Sequence, residues 1–296
     1  MVERSPWWQS LLRCPDCGAE LKQAETCLSC TESCGWQSSG GRDLRCIHPS
    51  PIQLNHIRQL GRDPEAWLHE LSTKAPPLTY RGPAAQRDST ALMSVLEQQL
   101  EPGAKVLDLG CGPRDQAAPV QFLGFQYLGV DVDGEAADLL VDAHALPFAD
   151  GCLDAVLSYA VLEHLRDPFV ALSEISRVLK PGGIYVGTVS QGEPFHASYF
   201  HHTAWGVLAL VQQSPALEVE RLWPAIDTLS SLAQMGRYPR LIRSALALVD
   251  AMHGACPWLA PRKQRWPVKE RQLDALHRAG SIGFVIRKPA EQIPQP

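Results

Sequence analysis

The chain has 296 residues, with 27 lysines and arginines against 32 aspartates and glutamates and a net charge of -5. Hydrophobic residues make up 45% and charged residues 20%, so wholesale disorder, collagen-like and coiled-coil architectures are excluded and a sizeable core is expected. The acidic balance provides no global basic field for a phosphate backbone, which makes RNA the less favoured partner.

Met1–Leu12 carries Glu3 and Arg4 ahead of Trp7 and Trp8 and has no long apolar stretch, so it does not read as a secretory signal. The apolar runs at Trp205–Val211 and Ser244–Val249 fall well short of the roughly 20 residues of a bilayer span. A cytoplasmic protein without a transmembrane segment is expected.

Cysteine is concentrated in the first segment, where Cys14, Cys17, Cys27, Cys30 and Cys34 crowd together. Cys14-Pro15-Asp16-Cys17-Gly18 is a C-x-x-C-G knuckle, and Cys30 to Cys34, followed by Gly35, reads as the second one. Cys14, Cys17, Cys30 and Cys34 are therefore the expected ligands of a zinc ion. Pairing Cys27 with Cys30 is the competing choice, and a cluster of reduced thiols without metal is the other alternative. Residues 1–51 form a small module of little apolar periodicity that needs such a staple to fold.

Residues 52–88 are a helical connector, with a short helix opened by Asp63-Pro64 and a Pro- and Gly-containing run at Ala75–Pro83. The main domain, 89–296, begins with apolar residues at helical spacing (Leu92, Val95, Leu96, Leu100). Strands are expected at Ala104–Leu109, Tyr127–Val130, Leu139–Val141, Ala155–Tyr159 and Ile184–Val189. Helices are expected up to Phe122, from Asp167-Pro168 to Leu179, and from near Ala204. This alternation predicts an α/β fold, a mainly parallel sheet covered by helices on both faces. Leu217–Leu222 and Ile282–Arg287 read as further strands. Between them, 223–270 reads as a helical insertion, either a lid over an apolar acceptor or a satellite core.

The first strand-to-helix turn, Asp108-Leu109-Gly110-Cys111-Gly112, stands where backbone comes closest to a ligand in an open parallel sheet. Asp131, at the end of the next strand, can accept hydrogen bonds from both hydroxyls of a ribose. Asp115 occupies the third glycine's place in G-x-G-x-x-G and would repel a pyrophosphate, which argues against a dinucleotide.

Five segments in order resemble the class I S-adenosylmethionine-dependent methyltransferases, of the type 11 kind. They are Asp108–Gly112, Gly129-Val130-Asp131, Asp142–Phe148, Ala160–Leu165 and Arg177–Gly183. The resemblance implies a Rossmann-like, seven-stranded sheet that binds S-adenosylmethionine. Asp108 and the backbone of Gly110, Cys111 and Gly112 would face the methionine part, and Asp131 with Val132 the ribose. Asp142 with Ala143 would hold the adenine edge, and Tyr159 is a further expected cofactor-binding residue. Arg114 departs from the family's third glycine and would either crowd the cofactor or reach an anionic group. Over Leu11–Pro49 the cysteine segment is similar to the short zinc ribbons that open some rRNA methyltransferases or accompany other methyltransferases. Bracing of the catalytic domain, or closure on the substrate side, is the role expected of it.

Methyl transfer from a sulfonium is an in-line displacement in which alignment matters most and a base is optional. His164, His196, His201 and His202 are the candidates for a base, and turn ordering, loop packing and helix capping are the competing roles for the same residues. A small or lipid-linked metabolite in a specialised pathway is the expected acceptor. An rRNA methyltransferase gripping RNA through the ribbon and a non-catalytic partner-binding scaffold are the alternatives. The first is disfavoured by the absence of an Asn/Asp-Pro-Pro-Tyr motif, the second by the intact Asp108, Gly110, Gly112, Asp131 and Asp142.

Overall fold

The computed structural model describes residues 6–23, 27–32, 34–38, 42–44, 70–71, 73–74, 84–192, 198–214, 216–227, 241–242, 244–245, 248 and 271–290. In chain order the elements are strands β1 (Leu21–Gln23) and β2 (Leu28–Cys30), helix α1 (Ala84–Gln99), β3 (Lys105–Leu109), α2 (Ala117–Phe122), β4 (Gln126–Asp131), β5 (Leu139–Leu140), β6 (Leu153–Tyr159), α3 (Pro168–Val178), β7 (Leu179–Ser190), α4 (Ala204–Gln212), β8 (Glu218–Asp227), α5 (Arg271–His277) and β9 (Ala279–Arg287). β3 to β9 form a seven-stranded sheet in the order β5-β4-β3-β6-β7-β9-β8.

β3 pairs in parallel with β4 and β6, β4 with β5, and β6 with β7, while β9 runs antiparallel between β7 and β8. This is the mainly parallel Rossmann-like sheet expected. The chain lays β4 and β5 on one side of β3, then returns to lay β6 on the other. The strand order thus reverses at β3, and the crevice opens beyond the carboxyl ends of β3 and β6.

Two apolar clusters cover the two faces. On one, Leu92, Val95 and Leu96 of α1 pack with Val106, Leu157, Val186 and Trp223. On the other, Leu172 and Ile175 of α3 and Val207 and Leu208 of α4 join Leu107, Leu128, Val156 and Phe284. Each fully buried leucine stabilises the fold by roughly 1.5–3 kcal/mol, which is why the strands read as near-continuous apolar runs. α3 starts where Asp167 accepts a hydrogen bond from Val170 N–H at 3.2 Å and Pro168 takes a first-turn position.

Three expected boundaries move. α1 begins at Ala84, so the division between connector and main domain at 88 falls inside it. α3 stops at Val178, and Leu179 already pairs with Leu153 as strand. β8 continues through Trp223 to Asp227, five residues into the stretch assigned to the insertion. The reason is a long-range fit: Trp223 is 1% exposed and lies over Gly283 of β9, where a Cβ would stand 2.1 Å from Trp223 Cε2. Helical residues occur at 241–242, 244–245 and 248, and the rest of 228–270 lies outside the described residues, as does the Asp63-Pro64 helix start. No helix among the described residues is long and apolar enough to cross a membrane.

The cysteine module is joined to the sheet. β1 and β2 form a two-stranded antiparallel hairpin, and Leu12 bridges Phe148 while Asp43 bridges Leu140 of the edge strand β5. Leu12, Leu28 and Leu44 belong to the same buried cluster as Leu139, Val141 and Phe148.

Candidate functional site

The loop after β3 is shaped by glycine. Gly110 has φ +71, and a Cβ there would meet Val161 Cγ2 at 2.4 Å, so no other residue fits. Val130 O of β4 accepts from Gly110 N–H at 2.8 Å and from Cys111 N–H at 3.0 Å. Asp131 closes the arrangement: one carboxylate oxygen accepts from Gly112 N–H at 2.8 Å, the other from Val132 N–H at 2.7 Å. Ala160, after β6, holds φ 55, a strained conformation that small side chains tolerate best and that concentrates at ligand sites.

Arg114 turns away from this loop. Its guanidinium pairs with Asp138 at 2.7 Å and lies over the Tyr127 ring at 5.3 Å. The anionic group it reaches is therefore Asp138 of the same chain. Beneath the loop, Tyr127 O–H donates to Asp108 at 2.7 Å. Asp108 is 1% exposed, and burial, opposed by the Tyr127 bond, pushes its carboxyl up to about 6. The Cys111 thiol, pushed up to about 12 by burial and then by the Asp108 charge, stays protonated and unreactive.

The segment after β5 forms the next wall. Asp142 accepts from His144 N–H at 2.9 Å and meets His144 Nδ1 at 2.5 Å, while His144 Nε2 accepts from Asp167 N–H at 3.2 Å. Those two partners require a neutral ring with its proton on Nδ1, which ties the loop to the start of α3. Burial raises the Asp142 pKa, but the His144 bonds and Arg166 outweigh it and the net shift is downward. α3 holds the segment from one side: Glu174 accepts from Leu146 N–H at 2.7 Å, and Arg177 donates to the carbonyls of Leu146 and Phe148, both at 2.7 Å. The module holds the other side, with Arg13 N–H donating to Pro147 O at 2.9 Å and Ala149 N–H to Leu11 O at 2.7 Å.

Between these walls lies a cleft of about 490 Å³. Of the expected residues, Gly110, Asp131, Val132, Asp142, Ala143 and His164 line it. Asp108, Cys111, Gly112 and Tyr159 do not. Asp108 stands in a buried place behind the loop, where the Tyr127 bond holds it, and Tyr159 packs against the apolar cluster under α1. His196 lies outside the described residues. His201 is exposed and away from the cleft wall, and Thr203 beside it caps α4 by accepting from Gly206 N–H at 3.1 Å. His202 is half-buried behind the wall; burial lowers its pKa against a raising bond to the Leu162 backbone, and its Nε2 has no hydrogen-bond partner among the described residues.

The cleft also takes Tyr199, together with His144, Val161 and Arg166, three residues that sequence reasoning did not single out. His144 was available as a signal inside Asp142–Phe148. Tyr199 is 70% exposed at the mouth, brought there by its N–H donating to Glu163 O at 2.9 Å.

The four sulfurs of Cys14, Cys17, Cys30 and Cys34 lie within 4.8 Å of one another, and Cys27 is not in the group. Cys14 and Cys34 are 3.6 Å apart and Cys17 and Cys30 3.4 Å, close to the ~3.8 Å edge of a sulfur tetrahedron around zinc. Gly18 and Gly35, with φ +75 and +78, turn the chain after the second cysteine of each knuckle, and Glu32 N–H donates to Cys30 Sγ at 3.3 Å. The donor set and spacing fit a tetrahedral thiolate site.

The methyltransferase domain family matches residues 107–187. An uncharacterized methyltransferase of Mycobacterium sp. (strain KMS) is 36% identical over 128 residues, 38% of this chain and 50% of its own. The chain thus spans about half the length of the mycobacterial relatives it matches. The demethylmenaquinone methyltransferase of Renibacterium salmoninarum is 30% identical over 204 residues, covering 64% of this chain and 79% of its own. Phosphoethanolamine N-methyltransferase 2 of Haemonchus contortus, solved with S-adenosyl-L-methionine, superposes with a TM-score of 0.42 at 16% identity, over 77% of this chain and 57% of that one.

Proposed function

The chain belongs to the class I S-adenosylmethionine-dependent methyltransferases, and from that premise we propose that it transfers a methyl group to a small or lipid-linked, largely apolar metabolite in the cytoplasm. The observation that carries the reading is the cleft at the strand reversal, where the Gly110 turn, Asp131 and Asp142 with Ala143 stand on three adjoining walls. When bound, S-adenosylmethionine supplies an activated methyl group on a cationic sulfur.

The chain's own residues bind, orient and exclude water. Gly110 lets backbone approach the cofactor, and Asp131 offers its carboxylate to the ribose hydroxyls. Asp142, held by His144 and kept ionised by it, receives the adenine edge together with the Ala143 backbone. Buried Asp108 lends negative charge behind the loop, which complements a sulfonium. His164 and Tyr199 face the cleft and are assigned to acceptor positioning, with His164 the base where an acceptor needs one. His202 supports that wall, its N–H donating to Ser190 O at 2.8 Å.

The relative named for demethylmenaquinone supports an apolar small-molecule acceptor. Zinc on Cys14, Cys17, Cys30 and Cys34 is proposed as structural, since four thiolates leave no open position for catalysis. The module's attachment to β5 and to Asp142–Phe148 favours bracing over an RNA grip. The test is transfer of labelled methyl from S-adenosylmethionine to a panel of quinol precursors and to rRNA. Labelling of a small apolar acceptor, lost in His164→Ala with cofactor binding retained, is expected. Labelling of RNA alone overturns the acceptor class.

A further inference from the structure

We propose that the N-terminal cysteine centre is a working part of the cofactor site: metal on Cys14, Cys17, Cys30 and Cys34 holds the strip of chain that fixes Asp142–Phe148, so that metal loading sets the affinity for S-adenosylmethionine. The inference rests on the cofactor reading of the cleft given above.

Among the described residues the module makes backbone hydrogen bonds to the main domain at two places, each next to a segment that lines the cleft. At the first, Leu11–Arg13, immediately before Cys14, makes two backbone hydrogen bonds to the segment's end, at Pro147 O (2.9 Å) and Ala149 N–H (2.7 Å). Leu12 is buried between them opposite Phe148. At the second, Leu44 N–H donates to Leu140 O at 2.8 Å and Leu140 N–H to Arg42 O at 2.9 Å, which completes the outer edge of β5. β5 is two residues long, and Leu140 is the register partner of Asp131. The carboxylate assigned to adenine thus follows the strand whose outer edge the module finishes, and the one assigned to ribose is paired to that same strand.

The module cannot hold this shape unaided. Its hairpin has strands of three residues each, and an isolated two-stranded hairpin is at best marginal in water. Folding of such a unit follows metal binding. Arg13 and Cys14 are consecutive, and Cys14 N–H donates to Ala19 O at 2.7 Å, so the knuckle and the docking strip share one backbone. Loss of metal frees the strip, leaves the β5 edge unpaired, and leaves Asp142–Phe148 held from the α3 side, by Glu174, Arg177 and the bond of Asp167 N–H to His144.

The test uses the full chain. S-adenosylhomocysteine affinity is measured by calorimetry on zinc-loaded protein, on the same protein stripped by a chelator, and after zinc is restored. Cys34→Ser, at an exposed ligand, removes a sulfur without opening the core. Backbone hydrogen exchange is followed in parallel. The expected result is at least tenfold weaker binding without metal, recovered on reloading. Exchange should be fast at Ala149 and Leu140 while Leu107 and Leu157 of the central strands stay protected. Equal affinity with and without zinc overturns the proposal and leaves the cofactor reading standing. Loss of protection throughout β3 and β6 also overturns it, because the metal would then hold the whole fold. Failure of folded, zinc-loaded protein to bind S-adenosylhomocysteine instead overturns the cofactor reading itself.

Discussion

Asp108 shows how one buried carboxyl can tune this site. Burial pushes it up to about 6 from 3.8, so it is neutral in the folded protein at mildly acidic pH and ionised at neutral pH. Stability from this raised group is fully present below 3.8 and is lost as the pH rises through about 6. Ligand selectivity moves the other way. The ionised form attracts a sulfonium but gains nothing from the neutral thioether of S-adenosylhomocysteine. Calorimetry at about pH 5 and about pH 7 should therefore show preference for S-adenosylmethionine over S-adenosylhomocysteine growing as Asp108 ionises. A pH-independent ratio would mean that the cation does not feel Asp108. Gly110 gives a second prediction at this scale: Gly110→Ala adds a Cβ 2.4 Å from Val161 at φ +71. Cofactor binding should fall at least tenfold, with stability reduced by about 1–3 kcal/mol, read by calorimetry and thermal melting.

Among the elements, α3 does most to fix the segment Asp142–Phe148. Arg177 donates to two carbonyls there and is itself held by Glu174 and Asp150 at 2.8 Å. Arg177→Ala should cost about 1–3 kcal/mol in a thermal melt, because two carbonyls lose a charged donor. Arg177→Lys should recover little of it, because an ammonium cannot reproduce the fork. Much of this region was legible in the sequence. Short apolar strands ending in Gly110 and Asp131, and the Asp167-Pro168 start of α3, follow from local chemistry. What local chemistry does not reveal is pairing across the chain. The run of β8 through Trp223 depends on the absence of a side chain at Gly283, and the docking of Leu11–Arg13 on Pro147–Ala149 joins segments more than a hundred residues apart. Neither leaves a periodic signal. In the same way the histidines could be chosen by loop position, but which of them reaches the cleft depends on how Tyr199 and Phe200 N–H bond to Glu163 O, at 2.9 and 3.1 Å.

At the scale of the molecule, strand order places the cleft: the reversal at β3 makes the crevice, and the glycine turn and two carboxylates line it. The two apolar clusters cover the two faces of the sheet, and the cysteine module completes its outer edge. The central claim is that this cleft is the S-adenosylmethionine site. It is tested most directly by calorimetric titration of S-adenosylhomocysteine into the zinc-loaded full chain, beside Asp131→Ala shown to be folded by circular dichroism. The account predicts binding with a dissociation constant on the order of micromolar, about 8 kcal/mol, weakened at least tenfold by the substitution. Folded protein that binds nothing, or an Asp131→Ala protein that binds as tightly as the parent, would contradict it.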